Sequence, residues 1–510
     1  MPIYKTMKAI AVLYAGNSQI VNTIPTLDVH FVKKISLFPN VEKIVLLEKG
    51  EARQAQIDGV QEVTKASWTR LAVLESIAET SVGFDLIYFA WADCPLLDPA
   101  LAGRLAERHF SYHADYTFAD GYPYGLAPEI LAPDLAERLK TLIGSEDKPV
   151  SRDMLFDLLQ KDINAFDIET EIAPLDLSPL RLNLCTDSKR NRLLLQRLTE
   201  AGFACADDCG LIEQKPELLR TLPAYYNIQV AVPCPQTCTL CPYRPDETTK
   251  EQFISLERFT GLLDRIVDFS GDAVIGLSMW GELSLHPQKL DLIAAVLNKP
   301  SLSLVIETSG VGWKTSELET IKAMAEKAGT STGEKSAMMA KISWITSLDA
   351  FSAERYQETR GAGFASAVET ARTLNRLFPK DAYVQAVRVS GAEDDIERFY
   401  RSWKAEGVNV IIQKHNNFCG IMPTLRVSDL SPWERRPCWH LMRDIAVLIN
   451  GAVPMCRDTG IGKDAVIMGN VFTDSLEVIW RKGDVLFREQ CARKYSGKCE
   501  NCDEYYTFNF

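Results

Sequence analysis

Val232-Pro-Cys-Pro-Gln-Thr-Cys-Thr-Leu-Cys-Pro-Tyr-Arg244 places Cys234, Cys238 and Cys241 in one tight loop. Three thiolates are one short of a closed structural zinc site, which takes four ligands in a tetrahedron. A [4Fe-4S] cluster held by three cysteines instead keeps one iron open to another ligand. An open iron is the reading to test against the rest of the chain.

The 510 residues exceed one core of ordinary size, so two or three domains are expected. A composition of 46% hydrophobic and 24% charged residues is globular. The net charge of −12 argues against non-specific attraction to nucleic acid or an anionic membrane and points to a small-molecule, sugar or peptide substrate. The thirteen cysteines are odd in number, and all but Cys94 and Cys185 lie after residue 200. That asymmetry implies a localised metal function rather than a secreted disulfide framework. The apolar run Ala9 to Tyr14 is too short for a signal peptide, and no run approaches the roughly 20 residues that span a bilayer. The expectation is a cytoplasmic protein with no membrane or nucleic-acid partner.

Residues 8 to 200 alternate short apolar runs, Lys8–Tyr14, Lys43–Leu47 and Asp85–Trp91, with amphipathic stretches, the pattern of a parallel α/β sheet. Asp93 follows the third run, at the strand end where open α/β sheets place ligands. It reads either as a metal or nucleotide contact or as a turn residue opening the next helix, where Asp98 and Pro99 stand. Cys205 and Cys209, without a third nearby ligand, read as ordinary small apolar residues.

Trp91-Ala-Asp-Cys-Pro-Leu-Leu-Asp-Pro99, Tyr122-Pro-Tyr-Gly-Leu-Ala-Pro-Glu129 and Leu180-Arg-Leu-Asn-Leu184 resemble the spore-coat-polysaccharide and acylneuraminate cytidylyltransferases. The resemblance implies a nucleotidyltransferase-like domain with a parallel or mixed sheet over residues 1–205. It also marks what is missing. Tyr14-Ala-Gly-Asn-Ser-Gln-Ile20 has no Arg or Lys for a triphosphate, and the family's acids are replaced by Ala127 and Cys185, with Asp187 out of register. The domain is therefore expected to be degenerate, binding a partner or sugar-like ligand or only scaffolding.

From Asn227 a strand followed by a helix recurs about six times: Asn227–Val232, Ala273–Met279, Leu302–Glu307, Ile342–Ser347, Tyr383–Val389 and Val408–Gln413 are strand-like. Phe253–Phe269, Pro287–Leu297, Ala362–Leu377 and Glu393–Glu406 have helical periodicity. Parallel strands with right-handed crossovers curl into a partial (β/α)6 barrel, expected over residues 222–425, with its chemistry at the carboxyl ends of the strands. The cysteine loop, Trp280-Gly-Glu282, Thr308-Ser-Gly310 and Ser347-Leu-Asp349 all fall at such ends. Residues Glu326 to Ala340 read as a surface loop.

These motifs resemble the radical S-adenosylmethionine superfamily. The resemblance implies that Cys234, Cys238 and Cys241 hold a [4Fe-4S] cluster whose fourth iron is chelated by S-adenosylmethionine. It implies that Gly281 and Glu282 meet the methionine ammonium, with Thr308, Ser347 and Arg360 around the carboxylate and ribose. Reductive cleavage, fed by a one-electron donor such as flavodoxin or ferredoxin, gives a 5′-deoxyadenosyl radical that abstracts a substrate hydrogen. Leu240 stands where an aromatic is common, and Trp280 replaces the first glycine of a Gly-Gly-Glu element.

Past Gln413 cysteines gather again: Cys438, Cys456, Cys499 and Cys502 supply four thiolates, enough for one closed zinc or iron–sulfur site. Cys438…Gly451-x4-Cys456-Arg-Asp458…Gly469-Asn-Val471…Leu476-Glu-Val-Ile-Trp480…Cys499-x2-Cys502 resembles the SPASM extension in its short, twitch-like version. That implies one auxiliary [4Fe-4S] cluster over residues 426–510, accepting an electron from a substrate radical. Asp458 is then the candidate base and Arg457 the candidate partner of an anionic substrate group, with His415 and Asn416 as outside candidates. Cys419 and Cys491 read as structural. The three-part order resembles the spirochaete proteins termed spiro-SPASM, and the implied activity is oxidation or another modification of a sugar-derived or peptide substrate. The alternative is an iron–sulfur protein with structural or redox-sensing clusters and a nucleotide- or partner-binding first domain.

Overall fold

The computed structural model describes residues 7–16, 29–50, 58–144, 149–243, 252–329, 340–460 and 465–506. The described residues form two compact units, one running to Leu218 and the other from Leu219 onward.

In the first unit the strands are β1 (Ala9–Gly16), β2 (Val41–Lys49), β3 (Val60–Lys65), β4 (Leu86–Trp91), β5 (Tyr116–Asp120), β6 (Glu129–Leu131) and β7 (Ile168–Ile172). β1 and β4 are buried along their whole length, which is why both read as continuous apolar runs rather than alternating ones. They pair in parallel at the centre of a sheet ordered β3-β2-β1-β4-β6-β5-β7. β6 runs antiparallel to both β4 and β5, so the sheet is mixed. The helix after β4 spans Pro99–Ser111. Asp98 caps it, accepting from the Ala100 N–H at 2.8 Å, with Pro99 in the first turn. Asp93 stands in the turn that leaves β4, and Asp98 rather than Asp93 opens the helix. Of the Tyr14–Ile20 stretch, residues 17–20 lie outside the described residues.

The second unit carries β8 (Tyr225–Ile228), β9 (Ala273–Gly276), β10 (Leu302–Thr308), β11 (Ile342–Ser347), β12 (Ala382–Arg388) and β13 (Asn409–Lys414), then β14 (Asp444–Val447) and a hairpin of β15 (Ala452–Pro454) and β16 (Ile467–Asn470). The sheet order is β13-β12-β11-β10-β9-β8-β14, with every neighbouring pair parallel. The repeat foretells the six consecutive strands. The seventh, β14, comes from the chain beyond them, and four residues without a following crossover helix leave no periodic signal to read. A helix over Thr315–Ala328 packs beside the helix Lys289–Leu297 and includes Glu326–Ala328, which were expected in a loop; residues 330–339 lie outside the described residues.

Period-two alternation divides the barrel strands between two layers. Ile275, Leu304, Ile306 and Trp344 pack outward under the helices. Tyr225, Val274, Val305 and Ile345 form a separate inner cluster with Tyr383 and Ile411 against it. Two residues further along the strands the inner face turns polar, at Asn227, Glu307, Ser347, Gln385 and Gln413. The barrel thus has an apolar floor beneath a polar ring. Arg220 anchors the start of this unit. Its guanidinium lies 3.6 Å over the Trp480 ring and donates to the Leu441 and Trp480 carbonyls at 2.9 and 2.8 Å. Among the described residues no helix is long and apolar enough to cross a membrane.

Candidate metal centre and active site

The cysteine loop leaves the end of β8 and is strapped from one side by residues 356–362. The Thr237 and Thr239 N–H groups donate to the Arg360 and Thr359 carbonyls at 2.9 and 2.8 Å, and Gln236 Nε2 donates to the Ala362 carbonyl at 2.8 Å. The Tyr356 hydroxyl donates to Gln236 Oε1 at 3.2 Å. Gly361 has φ +94°, and a Cβ there would stand 2.7 Å from Thr237 Oγ1, so only glycine lets the strap come this close. Leu240, the departure from the usual aromatic, packs against the cluster containing Leu348 and Tyr356. This strap has no sequence signature of its own, because its hydrogen bonds run mostly through backbone.

All three thiols are half-buried, and none of the chain's thirteen cysteines is in a disulfide. Burial pushes the Cys234 thiol up to about 12; Glu282 and Cys238 raise it further, against the Gln236 N–H and Arg360. A thiol in that setting ionises when a metal displaces its proton. Arg360 is buried beside Cys238 and paired with Asp349, and its Nε has no hydrogen-bond partner among the described residues. Asp349 is itself fixed by accepting the Val387 N–H at 2.8 Å. Three half-buried thiols beside an unsatisfied guanidinium N–H fit a group that brings positive metal and an anionic or oxygen-bearing ligand together.

Trp280-Gly-Glu282 is sewn to the chain entering the cysteine loop. Gln229 Nε2 donates to the Trp280 carbonyl at 2.6 Å and the Glu282 N–H to the Pro233 carbonyl at 3.0 Å. A Cβ on Gly281, at φ +150°, would lie 1.9 Å from the Ala231 carbonyl oxygen, so the glycine is required by close backbone approach. The Glu282 carboxylate is buried and engaged. It accepts from the Thr308 hydroxyl at 2.7 Å, the Ser309 N–H at 2.7 Å and the Ser284 N–H at 3.2 Å, and Trp313 Nε1 donates to the same Thr308 oxygen at 2.9 Å. Glu282 and Thr308 therefore form one unit. Ser347 belongs elsewhere: its hydroxyl donates to Glu307 Oε1 at 2.9 Å, an oxygen that also accepts from Gln385 Nε2 at 3.0 Å. Sequence reasoning passed over Glu307 and Gln385, although a carboxylate on the inner parity of Leu302–Thr308 was the available signal.

The second thiol set is assembled from the chain after β13. Cys438 is half-buried, and Cys502, Cys456 and Cys499 all lie near enough to act on its charge. Cys456 is pushed up to about 12, by burial first and then by Asp458, with Cys502 adding to it. Cys419, expected to be structural, lies near Cys502, Cys456 and Asp458 in this set. Cys491 closes the helix Leu476–Cys491 beside Tyr495. A zinc ion with Zn–S bonds of about 2.3 Å holds its sulfurs roughly 3.8 Å apart. Among the described residues only Asp93, Cys94 and Cys185, in the first unit, bring three metal-binding atoms within 4.8 Å of one another. Neither cysteine set of the second unit brings three sulfurs that close among the described residues.

Asp458 is buried and ion-paired with Arg457 at 3.1 Å, and it accepts from Asn416 Nδ2 at 3.1 Å. Burial works to raise its pKa, yet Arg457, His440 and Asn416 bring it below the ordinary carboxylate value. Burial lowers the Arg457 pKa, but Asp458, Glu504 and Glu307 outweigh it and raise it overall. Arg457 thus lies electrostatically between the auxiliary thiols and the polar ring. His415 is buried with its Nε2 unpartnered among the described residues. Trp280 also spans the two cysteine sites, stacking on Tyr243 at 6.2 Å while its ring stands where a Cβ on Gly460 would fall, at 2.9 Å.

Residues 438–503 match the SPASM family, an iron–sulfur cluster-binding domain, so the four thiols Cys438, Cys456, Cys499 and Cys502 lie in an iron–sulfur domain. The match begins after the six consecutive strands of the parallel barrel sheet, the first of which leads into the three-cysteine loop. The chain belongs to the same family as an uncharacterized protein of Treponema pallidum (strain Nichols), with 36% identity over 364 residues, 70% of this chain and 98% of that one. Among solved structures, Streptococcus suis SuiB bound to precursor peptide SuiA is similar over 74% of this chain and 88% of its own, at 14% identity and a TM-score of 0.44. A cytidylyltransferase from Leptospira borgpetersenii serovar Hardjo-bovis is similar over 41% of this chain and 95% of its own, at 16% identity and a TM-score of 0.33.

Proposed function

We propose that the second unit is a radical enzyme that cleaves S-adenosylmethionine at the Cys234–Cys238–Cys241 loop and oxidises or otherwise modifies a C–H bond of a sugar-derived or peptide substrate. The observation that carries this reading is the strapped three-thiol loop, with the Glu282–Thr308 unit and the unpartnered Arg360 Nε beside it. When bound, the cluster supplies one-electron reduction of the sulfonium, giving methionine and a radical that takes a hydrogen atom from substrate.

The chain's own residues then do the remaining work. The Glu282–Thr308 unit fixes the strand ends against which the methionine moiety rests. Arg360, held by Asp349, faces its acidic or ribose oxygens. The polar ring of Glu307, Ser347 and Gln385 binds the substrate over the apolar floor. Arg457 pairs with an anionic group of the substrate and Asp458 accepts the substrate's proton; Cys438, Cys456, Cys499 and Cys502 would hold an auxiliary cluster that could supply a one-electron acceptor. A small one-electron donor of the flavodoxin or ferredoxin kind restarts the cycle.

Electron paramagnetic resonance of the reduced, anaerobically reconstituted protein tests the open-iron geometry. Adding S-adenosylmethionine is expected to change one cluster signal and leave the other unchanged. Two signals that both ignore the ligand favour structural or redox-sensing clusters instead.

A further inference from the structure

The cytidylyltransferase resemblance of the first unit implies a divalent cation between carboxylates at the carboxyl end of the central strands. The residues there do not fit one. Asp93 lies just beyond β4, 3% exposed, and both of its oxygens are taken by Arg152, at 3.1 Å from Nη1 and 2.6 Å from Nη2. The same Nη2 donates to Asp187 Oδ2 at 3.2 Å. Asp187, although displaced by two positions in sequence from the expected acid, is thereby brought to Asp93, and what bridges them is a guanidinium.

We infer that Arg152 occupies the cation's place between Asp93 and Asp187, so that the first unit is built to work without a divalent ion. The bridge is held by both Nη groups and by ring faces, while Arg152 Nε has no hydrogen-bond partner among the described residues. The guanidinium lies over the Trp91 ring at 4.5 Å and the Tyr124 ring at 5.2 Å. Asn191 Nδ2 holds the other Asp187 oxygen at 2.7 Å, and the Thr186 N–H donates to the Asp93 carbonyl at 2.9 Å. Cys94 and Cys185, with sulfurs 3.3 Å apart, complete the wall; burial raises both thiols, so they face the site neutral. A divalent ion drawn to Asp93 would meet a fixed positive charge at hydrogen-bond range, on a carboxylate whose two oxygens Arg152 already takes. Two carboxylates and one guanidinium leave a net negative site, which repels a bare triphosphate as well.

Mn²⁺ binding measured by electron paramagnetic resonance on the full chain, with its clusters oxidised, separates the possibilities. Wild type is expected to bind no Mn²⁺ that an Asp93→Asn exchange removes. Arg152→Gln is expected to gain one bound Mn²⁺ per chain and a Mn²⁺-dependent rise in thermal stability, whereas Arg152→Lys, which keeps the charge, gains neither. An Asp93-dependent Mn²⁺ in wild type overturns the inference, and this arm does not depend on the Arg152 variants folding. A folded Arg152→Gln that takes up no Mn²⁺ overturns it too.

Discussion

Thr308 Oγ1 donates to Glu282 Oε1 at 2.7 Å, joining the segment after β9 to the end of β10 through a buried carboxylate. The Ser309 N–H takes the other oxygen at 2.7 Å. Glu282→Ala leaves these donors without an acceptor, and each buried donor left unpaired costs about 1–3 kcal/mol. The expected outcome is a fall of at least about 2 kcal/mol in the unfolding free energy of the second unit by denaturant titration, together with loss of S-adenosylmethionine cleavage. Glu282→Gln, which still offers one oxygen, is expected to recover part of the stability.

Cys419 sits against Cys502 within the auxiliary thiol set. A fifth sulfur so placed can stand in when its neighbour is removed. Cys502→Ala is expected to keep most of the auxiliary iron, Cys419→Ala all of it, and the double exchange to lose about four irons per chain. Iron and sulfide analysis of the three variants checks this ordering; equal loss from Cys502→Ala and the double variant would remove Cys419 from the site.

In the first unit, burial pushes the Glu129 carboxyl up to about 7, with Asp153 adding to the shift against the Tyr116 hydrogen bond. A raised acid holds its proton in the folded chain after the unfolded chain has released it, so stability falls as pH rises from about 4.5 to about 7. Glu129→Gln has nothing to ionise. The variant is expected to match wild type below pH about 4.5 and to exceed it above pH about 7. Hydrogen exchange of β4–β6 amides across that range reads the difference, and parallel curves would contradict it.

The six barrel strands were legible because apolar runs of strand length alternate with amphipathic helices, and the motifs stood at strand ends where the fold needs them. Cysteine spacing picked out Cys438, Cys456, Cys499 and Cys502, which all lie in the stretch that matches the SPASM domain. What stayed hidden has physical reasons. β14 is four residues long. The strap at 356–362 acts mostly through backbone carbonyls, which carry no residue signature. Glu307 was read as the end of a strand, because which of its faces looks inward depends on register. Cys419 looked solitary because its partners lie far along the chain. Arg152 lies 59 residues from Asp93 in sequence, so a loop with no cation of its own gave no hint that one arrives from elsewhere.

The central claim is that the loop of Cys234, Cys238 and Cys241 holds an iron able to bind and reduce S-adenosylmethionine. Formation of 5′-deoxyadenosine by the anaerobically reconstituted protein with dithionite and S-adenosylmethionine tests it most directly. Wild type is expected to form 5′-deoxyadenosine and methionine in equal amounts, and Cys238→Ala neither, while the auxiliary site keeps its iron. A wild-type protein with both sites filled that forms no 5′-deoxyadenosine would contradict the account.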